Sequence, residues 1–256
     1  MPIKDNIPET VKVKSLYKAL KLLDCFSTAS PELGISELAE KSGLLKSSIY
    51  NILNTFEICG IVAKNPRTSQ YHLGLKILEL ANVLNQEDVF SQVIRPYLEQ
   101  LSQRTGETVF FAMPYGSKII YREAAFPKQT VSARAIQGVI APMYCTSLGK
   151  AILAELDAEA FDEVVSEGLT KFTPYTITTA DQLRSELEQI RGQGYAIDNM
   201  EHEYGIKCVG VVVKNKVSQV LGAVSLSGPS LRFSQEKIQS YAKLLHEIAD
   251  DIAPRL

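Results

Sequence analysis

The chain has 256 residues, of which 45% are hydrophobic and 22% charged, with a net charge of −2; this fits one large or two ordinary globular domains and argues against a disordered polymer. Its four cysteines, Cys25, Cys59, Cys145 and Cys208, are widely spaced and form no CxxC pair, which argues against a disulfide frame and for reduced thiols. The opening MPIKDNIPETVKVK has no apolar core of signal-peptide length, and no run approaches the roughly 20 apolar residues of a membrane helix, so a soluble, cytoplasmic protein without a membrane partner is expected.

Charge is unevenly spread. Residues 1–76 hold ten Lys or Arg against seven Asp or Glu, a balance of +3, and the remainder holds seventeen against twenty-two, a balance of −5. A basic excess confined to one segment suits contact with a polyanion there. Residues 1–14 read as a flexible arm whose Lys4, Lys12 and Lys14 could lie along such a partner. Ser15 is placed to cap a helix, LYKALKLLDCF, with an apolar face of Leu16, Ala19, Leu20, Leu23 and Phe26.

Ile35 to Leu73 carries the most information. Its order is short helix, turn at Gly43, second helix, stop at Gly60, then two short strands around a polar tip, which predicts a winged helix-turn-helix over residues 15–74. Ser36 is placed to cap the first helix, supported by Glu37 and Glu40. In the second, Ile49, Ile52, Leu53 and Phe56 form a buried stripe. The opposite face bears donors and no acid before Glu57. Ser47 and Ser48, at the helix start, are candidate phosphate contacts, and Lys46, Tyr50 and Asn51 are candidate readers of base edges in a double-stranded DNA operator. Arg67, in the tip 65–69, would meet a minor groove or the backbone. The competing reading is a plain helical bundle, which would have no use for a basic hairpin.

Residues 75–88 read as a linker helix whose apolar side chains, Leu75, Ile77, Leu78, Leu80, Ala81 and Leu84, outnumber one face and so call for cover by another element or another copy of the chain. A second helix, about Val89 to Arg104, contains Pro96. Beyond Glu107, TVFFAMPY and KIIYREAAF form an antiparallel hairpin about Gly116-Ser117, and TVSARAI a third strand. Thr146 or Ser147, Asp157, Thr179 and Ser234 are helix caps. YAIDNM, KCVGVVVK and VLGAVSLSG add strands, giving an α+β domain with a central antiparallel sheet between helices.

Two motifs in this half, Gly138-(x)3-Pro142-Met143-(x)2-Thr146-(x)2-Gly149-Lys150-Ala151 and Gly194-Tyr195-Ala196-Ile197-Asp198-(x)6-Gly205-Ile206-Lys207-Cys208, together with Ser225-Leu226-Ser227-Gly228-Pro229, resemble the IclR-type bacterial transcriptional regulators. The resemblance spans roughly Ser15 to Ile252. It implies a GAF-like effector-binding domain over residues 89–256, a small organic acid as effector, and homodimers or dimers of dimers on DNA. Matched residue by residue, it places effector contacts on Ser147, Leu148, Asp198, Ile206, Cys208, Ser225 and Ser227. Free N–H groups at the helix near Ser147 would suit a carboxylate, and Ser225 and Ser227, two apart on a strand, share a face. Two departures from the family pattern are Tyr144, where many members have histidine, and Val209-Gly210-Val211-Val212, where many have an Ala-Ala-Pro run.

No cofactor motif is present. A nucleophilic Cys145 or Cys208 would need a basic partner, and only His202 is near either in sequence. Asp198, His202 and Cys208, with Glu201 or Glu203, could ligate a metal but lack a recognised spacing. A regulator is therefore expected, with neither a catalytic nor a metal site; the alternatives are an enzyme acting on a small acid and a DNA-binding protein without an effector.

Overall fold

The computed structural model describes residues 7–86, 89–128 and 137–255. The chain divides into two compact units, Met1–Asp88 and Val89–Leu256. The expected strand at 130–136, Lys4 of the arm and the side chain of Leu84 lie outside the described residues.

The first unit runs α1 (Lys14–Leu23), α2 (Ile35–Ser42), α3 (Lys46–Ile58), β1 (Val62–Lys64), β2 (Tyr71–Leu73) and α4 (Lys76–Gln86). Leu22, Leu38, Ile49, Leu53, Val62 and Tyr71 meet in one core. Gly43 ends α2 with φ 71°, a left-handed conformation that glycine adopts without a Cβ clash. β1 and β2 pair antiparallel, and Leu33 extends the wing through paired 2.9 Å backbone bonds with Tyr71.

Three local expectations are corrected. Ser36 does not cap α2. The helix starts one turn-position earlier at Ile35, with the Gly34 N–H donating to the Glu37 carboxylate at 2.7 Å, and the Ser36 hydroxyl accepts from Lys46 Nζ at 2.8 Å instead. Ser15 lies inside α1, because the Tyr17 N–H already closes on the Val13 carbonyl at 3.1 Å. Of the expected apolar face, Leu16 and Leu20 are 54% and 53% exposed, whereas Leu22, not foreseen, is the buried residue of α1 and Phe26, just beyond the helix, is buried as expected.

The second unit opens with α5 (Val89–Thr105), which continues through Pro96. β3 (Thr108–Tyr115) and β4 (Lys118–Ala125) form the expected hairpin, followed by β5 (Ile140–Pro142), α6 (Ser147–Leu153), α7 (Ala158–Ser166), α8 (Ala180–Gln193), β6 (Ala196–Asn199), β7 (Ile206–Lys214), β8 (Val220–Pro229) and α9 (Gln235–Ile252). The six strands make an antiparallel sheet in the order β5-β4-β3-β8-β7-β6. Thr146, Asp157, Thr179 and Ser234 each cap their helix through a side-chain oxygen.

Strand alternation divides the unit into three layers. Val109, Phe111, Val209, Val211, Val224 and Leu226 point to the side covered by α5 and α9. The opposite side receives α6, α7 and α8 through Leu148, Ile152, Leu153, Val164, Leu183 and Leu187. The α6 end rests on β7 at Gly210, where a Cβ would lie 2.8 Å from the Ser147 carbonyl. That contact is between backbones, so it cannot be relieved by a side-chain rotation. Gly210→Ala should therefore destabilise the unit by about 1–3 kcal/mol, read as a lower denaturant midpoint with an unchanged slope.

Candidate functional site

On the first unit, α3 buries Ile49 and Leu53 and leaves Lys46, Ser47, Ser48, Tyr50, Asn51, Asn54 and Thr55 exposed. Tyr50 is 56% exposed. The helix has no acid in its first turn and no side-chain cap, so its opening N–H groups remain available to a phosphate. Leu45, the residue just before α3, is 71% exposed and was not singled out from sequence; an exposed leucine at the entry of a reader helix suits the methyl group of a thymine. Arg67 is exposed in the wing tip, which is tied back to the body by Asn65 donating to Glu32 at 3.2 Å and Gln70 donating to Glu37 at 3.3 Å.

On the second unit, Ser147, Leu148, Asp198, Ile206, Cys208, Ser225 and Ser227 all line one cavity of about 320 Å³. Sheet register explains why residues so distant in sequence converge. Asp198 pairs across to Cys208, Cys208 to Ser227, and Ser227 to Thr108, so one row of side chains crosses β6, β7, β8 and β3 on a single face. Beside it, Ser225 is paired with both Gly210 and Phe110. Gly210 leaves room for the start of α6 to lie directly on this row.

The walls differ in character. The Cys208 thiol donates to Ser227 Oγ at 3.1 Å, and together with Ser147, Ser225 and Asp198 it makes a polar floor. Beside it stand Phe110, Tyr121 and Phe126, with Phe110 edge-on to Tyr121 at 5.4 Å and to Phe126 at 6.3 Å between ring centroids. Thr108, these three aromatics and His202 were missed as lining residues. For Thr108 and Phe110 the period-two alternation of β3 was a usable signal. Tyr121 and Phe126 reach the site only through strand pairing.

Of the N–H groups at the α6 start, that of Gly149 is already taken by the Thr146 hydroxyl at 3.1 Å. Tyr144 does not face the cavity. It donates to the Thr170 carbonyl at 2.7 Å, so the departure from histidine there alters a loop contact. Among the described residues no cluster of three or more His, Cys, Asp or Glu side chains is arranged to hold a metal.

Outside the cavity lining lies a charge cluster that sequence reading did not assemble. Lys150, on α6, is fully buried and its ammonium pairs with Glu186 of α8 at 2.8 Å and with Glu201 at 2.6 Å. The Glu201 backbone N–H in turn donates to Asp198 Oδ1 at 2.7 Å. Lys150 stays charged because its two carboxylates outweigh the cost of burial. Burial pushes the Cys145, Tyr121 and Cys208 groups up, so all three are protonated at neutral pH. The same desolvation pushes the Asp198 carboxyl from 3.8 up to about 7, with the nearby Glu201 charge adding to it.

The profile described as "Bacterial transcriptional regulator IclR C-terminal" matches residues 81–254, and that described as "IclR helix-turn-helix domain" matches residues 15–66. The HTH-type transcriptional regulator XynR of Escherichia coli (strain K12) is 33% identical over 237 residues, covering 92% of this chain and 94% of XynR. The crystal structure of an IclR transcriptional regulator from Alicyclobacillus acidocaldarius superposes with a TM-score of 0.80 at 26% identity, covering 95% of this chain and 98% of that one. An IclR homolog from Microbacterium hydrocarbonoxydans, solved in complex with 4-hydroxybenzoate, has a TM-score of 0.75 at 23% identity, covering 93% and 97% of the two chains, a similarity of fold.

Two outcomes test the cluster. Lys150→Met leaves two carboxylates facing each other without their cation and should cost about 3–5 kcal/mol in chemical denaturation. Asp198→Asn keeps the acceptor for the Glu201 N–H and removes the ionisation. Because the folded value is raised, the parent binds more protons folded than unfolded, so it loses stability relative to this variant as pH climbs from about 4 to about 7, and the difference then levels off. Melting temperatures of the pair across pH 4–8 read this directly; a constant difference would contradict it.

Proposed function

We propose, from the premise that this chain belongs to the IclR family of bacterial transcriptional regulators, that its operator affinity is set by a small organic acid held in the second unit. The observation carrying this reading is the cavity that gathers Ser147, Asp198, Cys208, Ser225 and Ser227 beside three aromatic rings. A cavity with a polar floor and an aromatic wall suits a small molecule with one polar end and one flat or apolar end. Ser147, Ser225 and Ser227 would supply hydroxyl donors, and Leu148, Ile206 and Phe110 would set the shape. 4-Hydroxybenzoate, the ligand of the Microbacterium homolog, has this polarity and is a suitable first probe.

On DNA, α3 would lie in a major groove with Ser47, Ser48 and its free N–H groups on phosphate, and with Lys46, Tyr50, Asn51 and Leu45 toward base edges. Arg67 would approach the backbone or a minor groove from the wing. Lys46 would have to exchange its bond to the Ser36 hydroxyl for one to DNA. Leu75, Leu78, Leu80 and Val83 of the segment around α4, all more than half exposed, favour association of copies of the chain as a homodimer or dimer of dimers, which would pair α3 helices on successive half-sites. The ligand alters DNA affinity only by its differential affinity for two arrangements of such an assembly. The domains would then be an arm over 1–14, a winged helix-turn-helix over 15–74, a linker helix over 75–88 and an effector domain over 89–256.

Asn51→Ala should relax discrimination at one operator position by about 1–3 kcal/mol, measured by titrating single-base operator variants. Equal loss on operator and random DNA would remove Asn51 from the readers. For the cavity, thermal shift against a panel of keto and aromatic acids should show stabilisation by at least one, since a ligand bound only by the native state raises the melting temperature. Ser225→Ala/Ser227→Ala should abolish that shift while leaving the unliganded melting temperature near the parent's.

A further inference from the structure

We infer that the cavity takes up its acid together with one proton, held on Asp198, so that this residue meets the ligand carboxylate as a hydrogen-bond donor and selects for an acid over a cationic or strongly basic molecule. The inference rests on the effector reading above and adds to it a protonation state and a pH dependence.

The geometry leads there in three steps. Among the described residues lining the cavity, none is lysine or arginine, and two, Asp198 and Glu203, are acids. A carboxylate entering a desolvated floor beside an ionised carboxylate would face an uncompensated like charge, which a low-dielectric setting punishes heavily. Asp198 is 4% exposed and cannot escape to water. Its Oδ1 is fixed as an acceptor by the Glu201 N–H at 2.7 Å, with a longer bond from the His202 N–H at 3.5 Å. With Oδ1 so occupied, a proton on Oδ2 would serve as donor to a ligand oxygen, forming a short acid–carboxylate bond of the charge-assisted kind.

The ionisable groups around Asp198 are compatible with that proton: Glu203 lines the same cavity and adds a second acid to it, and Glu201, itself pushed up by burial, is paired with Lys150. On α6 the Lys150 ammonium lies outside the cavity lining, engaged by Glu186 and Glu201. Cys145, before α6, Cys208 on β7 and Tyr121 on β4 are held protonated by burial. His202, after β6, is pushed below its ordinary value by desolvation, which disfavours a cation at that position. Asp198 itself is raised to about 7. It is therefore the group that changes charge in the neutral range, and an anion beside it raises its proton affinity further.

The experiment is isothermal titration of the full-length parent with 4-hydroxybenzoate and the keto acids of the thermal panel between pH 5.5 and 8.5, in buffers of differing ionisation enthalpy. The expected result is affinity that is nearly constant below pH 6.5 and falls toward tenfold per pH unit above about 7, with close to one proton taken up at pH 8. The loss should be absent for 4-hydroxybenzamide, whose amide N–H can donate to an ionised Asp198. It should be absent in D198N, whose amide donates at every pH, and retained in H202Q. If an acid binds the parent with a flat profile and no proton uptake, or if D198N keeps the slope, the inference is overturned while the effector reading stands. If no acid in the panel binds at any pH, both fall together. The buffer measurement on the parent alone decides the matter should D198N fold poorly.

Discussion

A lysine ammonium with no access to water must be surrounded by its own counter-charges, and that requirement organises the second unit. Lys150 projects from α6 and is met by Glu186 from α8 and by Glu201 from the turn after β6. Three elements far apart in sequence are thereby drawn to one point. Glu201, once anchored through its side chain, has its backbone N–H directed at Asp198. The position of the one acid on the floor of the cavity is thus set by an ion pair that never touches the cavity's contents. Such a cluster contributes little net stability compared with apolar packing, but it tolerates few alternative arrangements, which is what a site needs from its support.

The sheet does the rest by register. In an antiparallel pair, side chains opposite one another across strands face the same way, so Asp198, Cys208, Ser227 and Thr108 stand in a row although 119 positions separate the last two. Gly210 keeps α6 close enough to roof that row. The valines and leucines between these polar residues face α5 and α9, so the same strands build the apolar core on one side and the cavity floor on the other.

The first unit solves a different problem with the same economy. Ile49 and Leu53 hold α3 against α2 and the wing, leaving a continuous face of hydroxyl, amide, phenol and ammonium groups without an acid until Glu57. The wing is held to α2 and the preceding loop by Glu37 and Glu32, so its tip is presented on a supported hairpin. The proposed regulation by a ligand would ask only that the two kinds of surface be joined in an assembly with more than one arrangement.

From the sequence alone came the helix-turn-helix with its exposed polar face and five of the six strands and the caps of the second unit, because periodicity, glycine turns and cap residues act within a few positions of one another; the identity of seven cavity residues came through motif resemblance, and β5 was not foreseen. The misjudged details were the start of α2, where the Gly34 N–H donates to Glu37 in place of a cap by Ser36, and the α1 face, where Leu22 is buried and Leu16 and Leu20 are exposed. The placing of Tyr121 and Phe126 in the aromatic wall, the Lys150 cluster and the raised Asp198 carboxyl belonged to the tertiary structure alone. Each depends on distances between residues remote along the chain and on the exclusion of water, and neither quantity is written in local residue order.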